Sequence, residues 1–283
     1  MDNRAIGVFD SGLGGLTAVR RLHALMPREN IIYFGDTGRG AFGPRGPGLI
    51  FGGARGGLFS PPRGRDIIIK YARQDVAFLR QFDLKAIIIA CNTVSAVALD
   101  LLERENNIPI IGTVEPACRR AMTQTLNGKV GVIGTAATIR SGAYERYLHH
   151  ADGSLQLYTQ ACPLFVPLVE NGRVHRGDVV IETVVAEYLA PLKAAGVDTL
   201  ILGCTHYPLL EKVIGAYMGP EVTLIDSGAE AANLASTQFD PGEGPGETRY
   251  FVSDDPGAFD QLAELFLQER ISTGAGLVDI SSY

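Results

Sequence analysis

Cysteine is scarce in this chain: four residues in 283. None stands in a C-x-x-C pair and zinc-type spacing is absent, so neither a disulfide framework nor a metal site is expected. A dominant charge is lacking too. The net charge of −6 argues against a nucleic-acid surface. No apolar run approaches the ~20 residues a spanning helix needs, which argues against the membrane. The start, Met1-Asp2-Asn3-Arg4, carries no charged region ahead of a long apolar one, so no secretory signal is read. The expected location is the cytoplasm, with the cysteines as thiols. What remains is ordinary globular composition, long enough for one large domain or two modest ones.

Two stretches organise the sequence. Ala86-Ile87-Ile88-Ile89-Ala90 runs into Cys91-Asn92-Thr93, and Leu200-Ile201-Leu202-Gly203 into Cys204-Thr205-His206. Each unbroken apolar run between helical patterns reads as a buried parallel strand. Chemistry on such sheets gathers beyond the C-terminal strand ends, where both thiols fall.

The rest of the chain repeats this layout. In the first series, Ile6-Gly7-Val8-Phe9-Asp10 is a strand and Thr17 to Met26 a helix. Asn30 to Phe34 is a strand ending at Gly35-Asp36-Thr37, Asp66 to Phe82 a helix, Thr93 to Asn106 a helix and Pro109 to Gly112 a strand. Val130 to Thr135 opens the second series. It continues with a helix after Gly134-Thr135-Ala136, a strand at Leu155 to Gln160 and a helix from about Asp178 to Ala195. A helix through Leu209 to Met218 and a strand at Val222 to Ile225 follow the second cysteine. A helix near Glu230 to Ser236, a strand at Thr248 to Val252 and a helix at Pro256 to Arg270 complete the chain. Alternating strands and helices predict an α/β fold with mainly parallel sheets.

Segment 40–64 breaks the pattern with nine glycines, four prolines and three arginines, too many breakers for a helix or strand. It reads as a loop. The interval from Val8 to Cys91 exceeds that from Val132 to Cys204, and this segment lies in the longer one, as an insertion would. Ser11-Gly12-Leu13-Gly14-Gly15 is a glycine turn into a helix, suited to an anion. Its spacing fails the G-x-G-x-x-G dinucleotide fingerprint, which leaves carboxylate binding or a tight turn without a ligand.

If the strand ends face one another, Cys91 and Cys204 approach one cleft from opposite sides. Two acid/base groups on opposite faces of one carbon are what inversion of configuration needs. One removes a proton as thiolate and the other returns one as thiol. Each cysteine directly precedes an expected helix, whose N-terminus would favour a thiolate. Asp10 and His206 are the polar neighbours. Cys118 and Cys162 lack the duplicated context and read as packing residues. Glu170, before a turn, reads equally as a solvated helix end.

These motifs closely resemble those of glutamate racemases in the cofactor-independent Asp/Glu racemase family. The matching segments are Phe9-Asp10-Ser11-Gly12-Leu13-Gly14-Gly15, Gly35-Asp36-Thr37, Ala90-Cys91-Asn92-Thr93, Gly203-Cys204-Thr205-His206 and Ile225-Asp226-Ser227-Gly228. The resemblance implies two pseudo-symmetric α/β domains, 1–114 plus 227–283 and 115–226, with glutamate between them and no cofactor. It implies that Cys91 acts on D-glutamate and Cys204 on L-glutamate, in supply of peptidoglycan. Asp10 and His206 would assist their thiols, with Asp36 and Glu170 in lesser roles. Ser11, Asn92, Thr93 and Thr205, with Asp10 and His206, would hold the substrate.

One departure stands out. Family members usually carry Val-Pro-Tyr-Gly where this chain has Gly40-Ala41-Phe42-Gly43. Phe42 and Gly43 would then be the substrate-binding pair, and Phe42 lacks a hydroxyl. A substrate carboxylate left one buried partner short costs roughly 1–3 kcal/mol. Racemisation of another acidic amino acid such as aspartate, and a non-catalytic binding or regulatory protein, stay open beside the glutamate reading. A Cys91–Cys204 redox pair is the least favoured, because facing thiols separated by substrate are too distant for a disulfide. A homodimer also stays open, and the regulatory reading leaves room for a protein partner.

Overall fold

The computed structural model describes residues 1–39, 64–271 and 273–283. The loop expected over 40–64 lies, apart from Gly64, outside the described residues, and with it Phe42 and Gly43.

The fold is α/β, built on two parallel sheets. Strands β1 (Ala5–Asp10), β2 (Ile31–Gly35), β3 (Leu84–Ile89) and β4 (Ile110–Ile111) come with helices α1 (Leu16–Leu25), α2 (Arg65–Leu79) and α3 (Asn92–Glu105). Helix α4 (Val114–Gln124) leads to β5 (Lys129–Gly134), α5 (Ala136–Ser141), α6 (Ala143–Ala151) and β6 (Gln156–Ala161). Then come α7 (Phe165–Glu170), α8 (Val179–Ala195), β7 (Thr199–Gly203), α9 (Glu211–Met218) and β8 (Thr223–Asp226). The chain closes with α10 (Ser227–Gln238), β9 (Thr248–Val252), α11 (Pro256–Leu267) and β10 (Gly276–Leu277).

The sheet orders carry the repeat. One sheet runs β10-β9-β2-β1-β3-β4 and the other β6-β5-β7-β8. Removing the C-terminal additions β9 and β10 leaves the same order twice. In each, the chain departs to one side of the first strand and returns on the other. That reversal opens a crevice at the strand ends. The crevices fall at β1/β3 and β5/β7, where Phe9 pairs with Ile89 and Gly134 with Gly203.

The central strands of each sheet are buried on both faces, as apolar parallel strands require. On the first sheet, Ile6, Val8, Tyr33 and Ile88 point into one core and Phe9, Phe34, Ile87 and Ile89 into another, with the period of two that a pleat imposes. The first of these cores is shared: it also contains Ile133, Leu200 and Leu202 of the second sheet, and Leu16, Leu22 and Ala231 of α1 and α10. The two sheets are therefore joined through one apolar interior.

Several elements depart from the sequence reading. Helices α4 and α7 and strand β10 were not among the expected elements; Pro116 and Pro167 each sit in the first helical turn, where a missing N–H costs nothing. The helix expected over Leu209 to Met218 is divided. A 3-10 turn, Tyr207–Leu210, with Pro208 at its start, precedes α9. Among the described residues, no helix is long and apolar enough to cross a membrane.

Lys85 anchors the start of β3, the strand that delivers Cys91. Its ammonium donates to Glu29 Oε2 at 2.9 Å and to the carbonyls of Asp2 and Asp240, both at 2.7 Å, with the Lys85 and Glu29 side chains almost wholly buried. Removing one partner of such a pair strands the other charge. Lys85→Met is expected to lower unfolding free energy by about 3–5 kcal/mol in urea denaturation; a loss within about 1 kcal/mol would show that the pair is not buried in solution.

Candidate active site

The turn after β1 folds around a carboxylate of its own. Asp10 is buried, and the backbone N–H groups of Gly15, Gly12 and Ser11 point to its side chain. Burial raises the Asp10 pKa, against the opposing pull of His206 and these N–H groups. Its Oδ1 has no hydrogen-bond partner among the described residues. Tyr33 holds the turn from below, its hydroxyl donating to the Gly12 carbonyl at 2.8 Å.

The same turn touches the second sheet's motif. A Cβ on Gly14 would lie 2.1 Å from Thr205 Oγ1 and 2.6 Å from His206 Nδ1, and one on Gly15 2.6 Å from Asp10 Cβ. Glycine at both positions is what allows the approach. The Thr17 hydroxyl donates to Gly14 O at 2.9 Å and lies 3.2 Å from Thr205 O.

Cys91 ends the approach to α3 as its N-cap residue, with Sγ 3.2 Å from Ser11 Oγ. Burial pushes its thiol up to about 11, and the Asp10 charge adds to this. Ser11 and the N–H groups of Val94 and Ser11 pull the other way without prevailing. The helix start therefore does not yield the thiolate expected from sequence; desolvation wins. Cys204 is also raised well above its ordinary value by burial, opposed by the His206 N–H and reinforced by Cys91, Asp10 and Glu170. Asp10 acts on both thiols, and Cys91 acts on Cys204. Cys204 is not followed by an α-helix as expected, but by the bend leading to the 3-10 turn.

On the Cys204 side, His206 Nε2 contacts Glu170 Oε1 at 3.0 Å and Nδ1 lies 3.4 Å from Thr205 Oγ1. A carboxylate against Nε2 keeps a proton on that nitrogen. Glu170, at the end of α7, is thereby in the cluster rather than a solvated helix end.

On the Cys91 side, Thr93 Oγ1 lies 3.0 Å from both Thr135 Oγ1 and Thr138 Oγ1, which are 3.0 Å apart. This buried triangle of hydroxyls joins α3 to the end of β5. Asn92 Oδ1 accepts from Thr113 and Tyr144, while its Nδ2, buried, has no partner among the described residues. Asp36 is placed differently. Its N–H donates to the Asp10 carbonyl at 2.9 Å, but its carboxylate accepts from Arg39 Nε at 3.0 and 3.1 Å and from Ser253 at 2.8 Å. Arg39 also pairs with Asp75 and covers the Tyr71 ring. Phe42 and Gly43 fall outside the described residues. Cys118 and Cys162 pack into apolar cores, as expected.

Sequence reading passed over Thr135, Thr138, Thr113 and Tyr144. For Thr135 a signal existed. With Val8 matched to Val132, Ser11 matches Thr135, so the repeat carries a hydroxyl at the end of each first strand.

Two outcomes test this geometry. Gly14→Ala is expected to cost about 1–3 kcal/mol of stability, since the side chain it meets belongs to the opposite half and must move; thermal unfolding reads it, and an unchanged midpoint would contradict the contact. A thiol raised from 9.0 to about 11 is neutral when buried. Its contribution to stability is complete below about pH 9 and is lost as pH climbs through about 11. Alkylation of Cys91 by iodoacetamide, mapped by mass spectrometry, is therefore expected to accelerate from about pH 7 to about pH 10 without levelling. A plateau below about pH 9 would contradict burial as the controlling influence.

Comparison with known proteins places the chain among its relatives. Residues 54–235 match the family model described as Asp/Glu/Hydantoin racemase. The glutamate racemase of Geobacter metallireducens is 41% identical over 274 residues, covering 95% of this chain and 94% of its own. The solved structure of a glutamate racemase isoform from Bacillus anthracis superposes with a TM-score of 0.85 at 35% identity, covering 99% of this chain and 98% of that one. That of the Francisella tularensis glutamate racemase in complex with D-glutamate gives 0.84 at 36% identity, covering 100% of each. The chain belongs to the Asp/Glu/hydantoin racemase family and, within it, to the glutamate racemases.

Proposed function

We propose that this racemase interconverts L- and D-glutamate by direct proton transfer at Cα between Cys91 and Cys204, without a cofactor, and so supplies D-glutamate for peptidoglycan. The observation that carries the proposal is the placement of the two thiols. They stand beyond β3 and β7, at corresponding ends of two like-ordered sheets; Asp10 raises both thiols, and Cys91 raises Cys204. The Francisella relative, similar over its whole length, binds D-glutamate.

In the proposed step, the thiolate of one cysteine takes the Cα proton and becomes a thiol. The electron pair of the broken C–H bond passes into the carboxylate-conjugated carbanion. The thiol of the other cysteine then delivers its proton to the opposite face and becomes the thiolate. A Cα proton next to a carboxylate is weakly acidic, so a strong base suits it, and burial makes both thiolates strong bases. The substrate ammonium favours the thiolate electrostatically when it enters. Donors aimed at the developing charge on the carboxylate lower the barrier. Asn92 Nδ2, with the hydroxyls of Ser11, Thr93 and Thr205, fills that role, and Thr135 joins it through the hydroxyl triangle.

Asp10 assists Cys91, its free Oδ1 receiving the ammonium or a proton. His206, held by Glu170, assists Cys204. Asp36 acts at one remove, fixing the strand end on which Asp10 stands. The segments 1–114 with 227–283, and 115–226, serve as the two halves around the substrate; their strands belong to separate sheets.

Incubation in deuterium oxide is expected to place deuterium at Cα of either glutamate enantiomer. Cys91→Ser and Cys204→Ser are each expected to reduce racemisation by at least about 10²-fold. No exchange by the parent protein, or parent-like rates in both variants, would sink the proposal.

A further inference from the structure

Asn92 is the first residue of α3, beside Cys91, and its side chain is buried. Its carbonyl oxygen accepts from the Tyr144 hydroxyl at 2.6 Å and from the Thr113 hydroxyl at 3.0 Å. An amide oxygen has two lone pairs, and these two donors occupy both. The amide nitrogen is left without a partner. A buried donor in that state is costly unless something with a strong acceptor meets it.

Tyr144 comes from α6, which packs on the second sheet, whereas Asn92 follows a strand of the first. The tyrosine is buried, with its hydroxyl 3.4 Å from where a Cβ on Gly203 would stand and beside the Ser227 side chain. Thr113 precedes α4 and Ser227 begins α10, so Tyr144 sits where the chain leaves the first sheet and where it returns. A phenol donates more readily than it accepts, because its lone pair is shared with the ring. Against an amide free to turn over, Tyr144 therefore selects the carbonyl end. The opposite orientation would put Oδ1 where the unpartnered Nδ2 stands, and there it would repel a carboxylate.

We infer that Tyr144 and Thr113 are positioning residues for the racemase reaction, holding the Asn92 carbonyl so that its N–H₂ faces the substrate carboxylate. The inference rests on the proposed glutamate reading and deepens it. It also means that the donor beside Cys91 is oriented by a side chain of the other half. Substrate binding is then sensitive to the register of the halves as well as to the cleft residues.

The experiment is steady-state kinetics of Tyr144→Phe, Thr113→Val and Asn92→Ala, singly and combined, with both enantiomers of glutamate. Tyr144→Phe is expected to raise KM by about tenfold, the worth of a hydrogen bond to a charged group, with a smaller change in kcat. Deuterium wash-in at saturating substrate continues. In the Asn92→Ala background the same substitution is expected to change KM by less than about twofold, because the tyrosine acts through the amide it orients. A purely structural tyrosine would keep its full effect there. Thr113→Val, which approaches the second lone pair, is expected to act in the same direction and decides the matter alone if Tyr144→Phe does not fold. A KM within about twofold of the parent for the folded variants, or an effect undiminished without Asn92, overturns the inference. Failure of the glutamate reading shows separately, as absence of wash-in by the parent protein.

Discussion

The site depends on one close approach of backbone to side chain. At Gly14, the turn that wraps Asp10 meets Thr205 and His206 with no room for a Cβ. The Thr17 hydroxyl bridges the same junction, and beneath it the core formed by Leu16, Leu22, Leu202 and Ala231 runs unbroken from one sheet to the other. Because interiors of this kind are close-packed, the separation of the two strand ends is fixed by packed atoms rather than by a flexible loop. Cys91 and Cys204 inherit that spacing from the strands they end.

Within that frame the repeat supplies like groups and the departures from it supply difference. Cysteines follow β3 and β7, and hydroxyls at Ser11 and Thr135 follow β1 and β5. The position of Asp10, however, matches Gly134, and that of Thr93 matches His206. A carboxylate therefore flanks one thiol and an imidazole–carboxylate pair the other. Thiols and hydroxyls are shared chemistry; Asp10 and His206–Glu170 mark which half is which.

Much of this was legible in the chain. The apolar runs before Cys91 and Cys204 gave buried parallel strands because their β-branched residues fit a sheet covered on both faces. The doubled order of elements followed from spacing alone. What could not be read were contacts with no local signature. Tyr144 and Asn92 lie far apart in sequence, and nothing in Ala143-Tyr144-Glu145 marks a tyrosine that bonds an asparagine next to a thiol. Helix α4 was not read, although Val114, Ala117, Cys118 and Ala121 have the spacing of a buried stripe. The thiol pKa values were misjudged for a related reason. A helix N-terminus is visible in sequence, but the completeness of burial that outweighs it is a property of the folded interior.

The unlike flanks raise a question of direction that thermodynamics answers. The enantiomers of an amino acid have equal free energy in water, so a catalyst must show the same kcat/KM for either one. Neither Asp10 nor His206 can therefore favour one product. In the proposed mechanism, what each sets is the basicity of the thiols near it and the strength with which an enantiomer is held. Burial raises both thiols, and Asp10 raises Cys91 further while the N–H groups around each cysteine act against the rise. A base and an acid exchanging one proton across a planar carbon work best when neither is trapped in one state. In the proposed mechanism the different flanks are two solutions to one requirement, that the thiols be close enough in basicity to exchange roles at every turnover.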